Sequence, residues 1–242
     1  MTTKRKYIEV RDIQVEVVRK AIKNLHLAVY PPEGRVRVAV PLHVTDENIR
    51  LAVISKLGWI RRQQTNFNNQ SRQSQREMVS GESHYFMGRR YLLDVIHRQG
   101  KHEVVLSNNS KMTLYVQLGT SIANKEKVLQ EWYRDQLKTM MPDLIKEWEA
   151  VIGVQINQWA IKRMKTRWGA CNIAAKRIWL NLELAKKPPE CLTYILVHEL
   201  VHLLERHHND RFKSLMDRFL PSWRMYREEL NRAPLAHEEW VY

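Results

Sequence analysis

The segment His198-Glu199-Leu200-Val201-His202 has the residue types and the spacing of a metal-dependent hydrolase. Two histidines four positions apart on a helix point the same way, so both rings can bind one metal ion. A glutamate between them lies beside that ion, where it can accept a proton from a bound water. The segment therefore predicts His198 and His202 as metal ligands and Glu199 as a catalytic base.

A buried helix is expected to carry this segment. Residues 190 to 206 contain neither glycine nor proline, and their apolar members recur at helical spacing. Pro189 suits a first helical turn, and Glu190 suits the positive end of the helix dipole. These signals predict a helix over about 189–206. Its two histidines are either core residues with neighbouring partners or metal ligands, and a metal ion would satisfy several polar atoms at once.

A catalytic zinc ion usually has three protein ligands, so a third residue is expected nearby. His208 lies six residues after His202, just past the expected helix end, and is our prediction for that ligand. His207 is the adjacent alternative, and Glu205 and Asp210 offer carboxylates. The three-histidine spacing equals that of the metzincin motif, in which a glycine reverses the chain. Glu205 stands at that glycine position, so the turn must form differently.

Length, cysteine content and hydropathy limit the class of protein. A chain of 242 residues is long enough for one large domain or two modest ones. Cys171 and Cys191 provide no disulfide framework, and residues 1–10 lack the apolar stretch of a secretory signal. No apolar run is long enough to span a bilayer. We therefore expect a cytoplasmic protein that does not enter a membrane.

Positive charge is concentrated in the first half of the chain. Residues 1–122 contain 20 Lys and Arg against 10 Asp and Glu, a net charge of +10. Residues 123–242 contain 20 against 16, a net charge of +4. A basic surface attracts polyanions, although charge by itself is not recognition. The basic N-terminal half is therefore a candidate contact for a polyanion or a nucleic acid.

The first half has the pattern of an antiparallel β-rich region with one helix. Alternating apolar residues and turn signals predict strands, and Ile49, Val53 and Ile60 define the apolar face of a helix. Turn signals at 87–88 and 98–101 favour a meander of the later strands. The predicted strands are 13–19, 25–30, 35–40, 83–87, 90–98, 103–106 and 112–117, and the predicted helix is 46–64.

The second half has mainly helical patterns. A helical stripe covers 123–150, where Pro142 is expected to kink the helix or begin a new one. Strand signals return at 154–163 and 177–182, with a tight turn at Gly169 between them. One further helical pattern ends near Pro221, and a last one spans 223–230. The expected class is α+β, with a basic β-rich region at 1–122 and a helical region with a small sheet at 123–242.

Several segments resemble the YgjP-like family of zinc metallopeptidases, which is akin to the SprT-like and wider zincin groups. The resemblance lies in Arg167-Trp-Gly-Ala-Cys171, in Ile178-Trp-Leu-Asn181, in the run Tyr194 to Glu205, in His208 and in Ser80-Gly-Glu82 with the residues after it. It implies a zincin-like domain over 123–242, one Zn²⁺ per chain held by His198, His202 and His208, and Glu199 as the catalytic residue. Ala170 departs from the pattern, in which serine is expected.

Peptide hydrolysis also requires a hydrogen-bond donor for the developing oxyanion. Arg167, Tyr194 and His207 are the candidates for this substrate contact. The ligand histidines need orienting partners, for which Asn181 and Asp210 are candidates.

Three functions are compatible with these residues. The first is a cytoplasmic zinc metallopeptidase acting on a protein or peptide. The second is a metal-dependent nucleotide hydrolase that cleaves a phosphoanhydride, as a pyrophosphatase does, because Lys162, Arg163, Lys165 and Arg167 could line a basic cleft. The third is a nucleic-acid-associated protein with a structural zinc. Glu199 argues against the third, since a structural site needs no base.

Overall fold

The computed structural model describes residues 5–30, 34–69, 76–164 and 167–232, which form six α-helices and three small mixed sheets. The predicted α+β class is confirmed. The described residues belong to two compact units, 5–69 and 76–232, each with its own apolar core. Within the described ranges, no helix is both long enough and apolar enough to cross a membrane.

A four-stranded sheet forms the first part of unit 5–69. Its strands are Arg5–Val10 (β1), Ile13–Lys20 (β2), His26–Tyr30 (β3) and Arg35–Pro41 (β4). The order is β1-β2-β4-β3, in which β2 and β4 are parallel and the outer pairs are antiparallel. The prediction of a purely antiparallel region is therefore wrong, since pairing between strands that are distant in sequence is not visible in alternation.

Two helices follow this sheet, α1 (Asp46–Ser55) and α2 (Leu57–Asn69), where the pattern predicts one helix over 46–64. The break lies at Lys56. Because Val53 and Leu57 are both buried, the apolar face continues across the break and does not reveal it.

The second unit begins with a sheet of the same strand order. Its strands are Ser83–Phe86 (β5), Arg89–His97 (β6), Glu103–Ser107 (β7) and Lys111–Val116 (β8). The order is β5-β6-β8-β7, with β6 and β8 parallel. The predicted meander is wrong, because β6 does not pair with β7, the next strand in sequence, but with β8.

A single helix, α3 (Ile122–Ile152), follows β8 and contains Pro142. The alternative that a new helix begins at this proline is wrong, and a kink at Pro142 stays a prediction. Proline costs an interior helix about 3 kcal/mol, but Leu137, Met141 and Ile145 are buried along one face. Packing on both sides of the proline therefore keeps the helix continuous.

A three-stranded sheet, called the site sheet below, follows α3. It consists of Gln158–Lys162 (β9), Gly169–Asn172 (β10) and Arg177–Asn181 (β11) in the order β10-β11-β9. β10 is antiparallel to β11, and β9 is parallel to it. The tight turn predicted at Gly169 is wrong, because Gly169 begins β10. Four residues of small or polar type carry too weak a pattern for a strand prediction.

Three helices complete the described fold: α4 (Pro189–Val201), α5 (Asp210–Phe219) and α6 (Trp223–Arg232). Helix α4 is the most buried of them, with Leu192, Leu196 and Leu200 almost inaccessible to solvent. A hydrophobic helix that is covered on most sides can hold polar groups in a fixed position. This is the helix that carries the histidine pair.

The apolar core of unit 76–232 extends from the second sheet to α6. Leu93 and Met112 of the sheet belong to the same buried cluster as Leu137 of α3 and Leu196 of α4. The boundary between the two compact units lies before residue 76. The boundary predicted from the sequence, between residues 122 and 123, falls at the first turn of α3. Distinct roles for 1–122 and 123–242 stay a prediction.

Candidate metal centre and active site

Three histidines converge at the end of α4. His198 and His202 belong to the last turn of this helix and its C-cap, and His208 lies just before α5. One ring nitrogen from each lies within 4.8 Å of the other two. The Nε2 atoms of His198 and His208 are 3.0 Å apart. The third histidine predicted from the sequence therefore lies beside the first two, so these residues form a group that can hold a metal ion.

The chain reverses after α4 without a glycine. The regular helix ends at Val201, earlier than the predicted 206, and His202 is its C-cap. Hydrogen bonds of the tighter three-residue type, Leu203 N–H to Leu200 C=O and Leu204 N–H to Val201 C=O, close the turn. The residue at the metzincin glycine position does not have positive φ, so a glutamate is tolerated there.

Two further contacts fix the rings. His202 Nδ1 lies 3.2 Å from the backbone oxygen of Glu205, so an Nδ1–H donates to that oxygen and leaves Nε2 free as a ligand atom. The Phe212 ring packs against all three histidine rings at centroid distances of 4.8–4.9 Å. The asparagine before α5, Asn209, caps that helix by accepting from the Phe212 N–H, which positions this aromatic wall.

The donor set fits a zinc ion. Two nitrogen ligands on a tetrahedral zinc, at zinc–nitrogen distances near 2.0 Å, lie about 3.3 Å apart, close to the 3.0 Å between the Nε2 atoms of His198 and His208. Burial lowers the pKa of His198 to about 3, and the neighbouring histidines add to this effect. Burial also lowers the pKa values of His202 and His208. All three rings are therefore neutral at pH 7, as metal ligation requires.

Glu199 lies beneath β10. Its side chain is 5% exposed, and a Cβ built on Gly169 would come within 2.5 Å of its Oε1 atom. The strand can therefore approach the carboxylate this closely because glycine has no side chain. Burial raises the pKa of Glu199 to about 8, while the positive charge of Arg167 acts in the opposite direction. A nearby cation of higher charge would lower this pKa further.

Comparison with known proteins identifies the family of this chain. The model of the YgjP-like metallopeptidase domain matches residues 23–233. The chain belongs to the YgjP-like family. Among solved structures, the metallopeptidase zymogen abylysin of Pyrococcus abyssi is similar at 22% identity and a TM-score of 0.36, over 38% of this chain and 91% of that chain. No curated protein matches the sequence.

Two of the predicted substrate contacts in this YgjP-like chain lie near residues of the candidate site, Tyr194 near His198 and Arg167 near Glu199. Tyr194 is one helical turn before His198 and meets its ring edge-on at 5.9 Å. Burial raises the pKa of the Tyr194 hydroxyl, so the phenol is a hydrogen-bond donor at neutral pH. Arg167 is exposed and lies close enough to Glu199 to lower the pKa of that carboxyl group.

The other predicted residues have different surroundings. Asn181 donates through Nδ2 to the backbone oxygens of Met164 and Arg167, at 2.7 Å each. It therefore holds the segment before β10 rather than orienting a histidine. Asp210 pairs with Lys213 at 2.9 Å.

The remaining alternatives for the third ligand also have other partners. His207 is exposed, and its backbone N–H donates to the carboxylate of Glu205. Neither side chain belongs to the group of ligand atoms formed by the three histidines.

Sequence reasoning missed contributions from α6. The Trp223 ring stacks on Tyr194 with centroids 6.3 Å apart. Arg227 follows one turn later. Its positive charge opposes the burial that raises the pKa of Tyr194, and it adds to the burial that lowers the pKa values of His198 and His208. No motif marks Arg227, because it comes from a separate helix. The only signal in the sequence is that Arg227 lies four residues after Trp223, which places both residues on the same face of a helix.

Proposed function

We propose that the protein is a zinc-dependent peptidase in which His198, His202 and His208 hold the ion and Glu199 is the general base. The observation that carries this proposal is the convergence of three neutral imidazoles beside a buried glutamate. When bound, zinc would lower the pKa of a coordinated water and polarise the scissile carbonyl. A cytoplasmic location stays a prediction from the sequence.

The residues of the chain supply the proton transfers and the positive charge. Glu199 would take a proton from the attacking water and pass it to the leaving amine. Burial raises the pKa of this carboxyl group, which favours the protonated form needed for the second transfer. The charge of a bound ion would lower this pKa and favour the ionised form needed for the first. Arg167 carries positive charge near Glu199, and Arg227 of α6 carries positive charge near His198 and His208. They would stabilise the negative charge that develops on the carbonyl oxygen.

A peptide substrate is favoured by the edge of β10. This strand is the last of the site sheet, and among the described residues no further strand pairs with it. Asn181 N–H donates to Trp168 C=O at 2.9 Å. Because backbone groups alternate in direction along an antiparallel strand, Gly169 and Cys171 direct theirs away from β11. An extended peptide could therefore add as a further strand directly above Glu199.

The test measures the turnover of a peptide library by the zinc-loaded protein, with nucleoside triphosphates as a parallel panel. We expect peptide turnover that falls by about a thousandfold or more in Glu199→Gln, while zinc content by elemental analysis stays unchanged. Glu147→Gln is the matched control, since Glu147 is an exposed residue of α3. Turnover of triphosphates alone, abolished in Glu199→Gln, would replace the peptidase proposal with a nucleotide hydrolase.

A further inference from the structure

The two faces of the site sheet carry different residues. The face toward α4, called the inner face, includes Gly169 of β10 above Glu199 and the buried Ile178 and Leu180 of β11. Because side chains alternate along a strand, Arg177 and Trp179 of β11 project from the opposite, outer face.

Small residues flank the half-buried Trp179 on the outer face. Strand register pairs Trp179 with Ala160 on β9 and with Ala170 on β10. Neither alanine can cover an indole ring. Trp179 is half-buried, so part of it is open to solvent. A shallow groove runs beside it, lined by Asn157, Gln158, Trp159, Ala160, Arg177 and Trp179.

Cations flank this ring on the outer face. Lys162 Nζ lies 4.2 Å from the centroid of the Trp179 ring, and Arg177 Cζ lies 5.7 Å from it. Arg177 Nε is buried and has no hydrogen-bond partner among the described residues, so no described protein group holds the guanidinium at this donor. The sequence from 150 to 182 contains six Lys and Arg and no Asp or Glu, so this stretch of the sequence has an excess of positive charge.

We propose that the outer face of the site sheet binds single-stranded nucleic acid, with a base against Trp179 and phosphates on Lys162 and Arg177. An aromatic ring on an open sheet face, bordered by cations, combines the two requirements of such binding, stacking and phosphate neutralisation. A phosphate would draw the Lys162 ammonium away from the ring that it covers and free that ring for a base. A duplex keeps its bases stacked, so it can use only the charges.

The nucleic acid would not occupy the candidate metal site. Glu199 lies against the inner face, whereas Trp179 and Lys162 belong to the outer face, and β10 and β11 separate the two. The proposal is therefore independent of the peptidase function. It also differs from the expectation of a contact through the basic N-terminal half, because all of its residues lie in unit 76–232.

The test is fluorescence anisotropy of a labelled oligothymidylate of about 12 nucleotides titrated with the full chain. We expect the Kd to rise about tenfold in Trp179→Leu and to return to within about threefold in Trp179→Phe, because phenylalanine restores a stacking surface. Lys162→Glu should also raise the Kd about tenfold and reduce its dependence on salt. Circular dichroism melting of each variant identifies any that fails to fold. Trp179→Phe and Trp179→Leu both remove the indole and differ in whether an aromatic ring remains, so their comparison tests stacking itself.

Two charge controls locate the site. Lys146→Glu on α3 and Lys56→Glu in unit 5–69 make the same charge change at exposed positions, and each should alter the Kd less than about twofold. Glu199→Gln should leave the Kd unchanged. Binding lost in Lys56→Glu but retained in Lys162→Glu would overturn the proposal, as would equal affinity for duplex and single strand or equal Kd values for Trp179→Leu and Trp179→Phe.

Discussion

The inner and outer faces of the site sheet are two surfaces of the same three strands, yet they present opposite chemistry. On the inner face, burial raises the pKa of the Cys171 thiol to about 11 and that of Glu199 to about 8, so it favours uncharged groups. On the outer face, the basic side chains of Lys162 and Arg177 lie beside the Trp179 ring. The difference shows that a two-residue alternation is enough to separate a buried carboxyl group from a cationic surface by the thickness of one sheet.

The largest expected effect concerns metal binding, which we expect to depend on residues of the inner side and not on those of the outer face. His208→Ala removes one of three imidazoles, and we expect zinc affinity to fall by at least about 100-fold. Competition with a chromogenic chelator measures this. His207→Ala is the control, because His207 lies outside the group of three ligand atoms. Equal loss of zinc in both variants would contradict the ligand assignment, and weaker oligonucleotide binding in His208→Ala would break the separation of the two faces.

Adjacent residues of β10 test the two faces directly. In Gly169→Ala the new Cβ would meet Glu199 Oε1 at 2.5 Å and Ile195 Cγ2 at 2.8 Å. We expect a loss of about 2 kcal/mol in unfolding free energy and reduced peptide turnover, because Glu199 must move. Ala170→Ser places a small hydroxyl on the outer face and should change stability by less than about 0.5 kcal/mol. Urea unfolding compares the two, and similar losses would mean that the faces are not distinct.

Arg227 tests whether the inner side also requires positive charge. Arg227→Met keeps much of the apolar stem but removes the cation near His198 and His208. We expect kcat/KM for peptides to fall about tenfold, mainly through kcat, if the charge acts in the transition state. Lys146→Met is the matched loss of a charge on a distant exposed helix face. If kcat/KM falls only because KM rises, with kcat unchanged, Arg227 would instead contribute to ground-state binding of the substrate.

The smallest expected effect concerns the pH dependence of the unfolding free energy, which we expect to depend on His84 rather than on residues of either face. Burial lowers the pKa of His84 to about 4, and Arg76 adds to this, while a hydrogen bond with Glu82 opposes it. The folded state therefore resists protonation that the unfolded chain accepts near pH 6.5. His84 thus contributes stability above this pH that is lost as the pH falls towards 4.

Between pH 7 and pH 5.5 the loss should be roughly 1 kcal/mol. Chemical unfolding at both pH values measures it, and His84→Gln should remove most of the difference. An unchanged pH dependence in this variant would assign the acid sensitivity to other groups, including the histidines at the end of α4.

The sequence was informative wherever chemistry and local periodicity coincide. The histidine pair, its helix and His208 could be predicted because fixed spacing on one helix, followed by a short reach, limits where the side chains can lie. The four-residue strand β10 could not be predicted, since Gly169 to Asn172 has no apolar alternation and is defined by its pairing with β11. Pairing of this kind depends on the whole chain.

Three features escaped for related physical reasons. Parallel pairing of β2 with β4 and of β6 with β8 joins strands that are not adjacent in sequence, and turn signals report only adjacent ones. Pro142 predicts a break that tertiary packing overrides. Arg227 approaches the histidines only because α6 packs beside α4, and Trp223 stacked on Tyr194 is the contact that fixes this approach.

The turn between His202 and His208 connects two helices that would share one ion. An ion bound there would cross-link the end of α4 to the start of α5, a cross-link that exists only while the ion is present. By mass action, a metal concentration 100 times its Kd would add about 2.7 kcal/mol to the stability of the folded state. Removal of the ion would remove this contribution, and with it the link between the two helices.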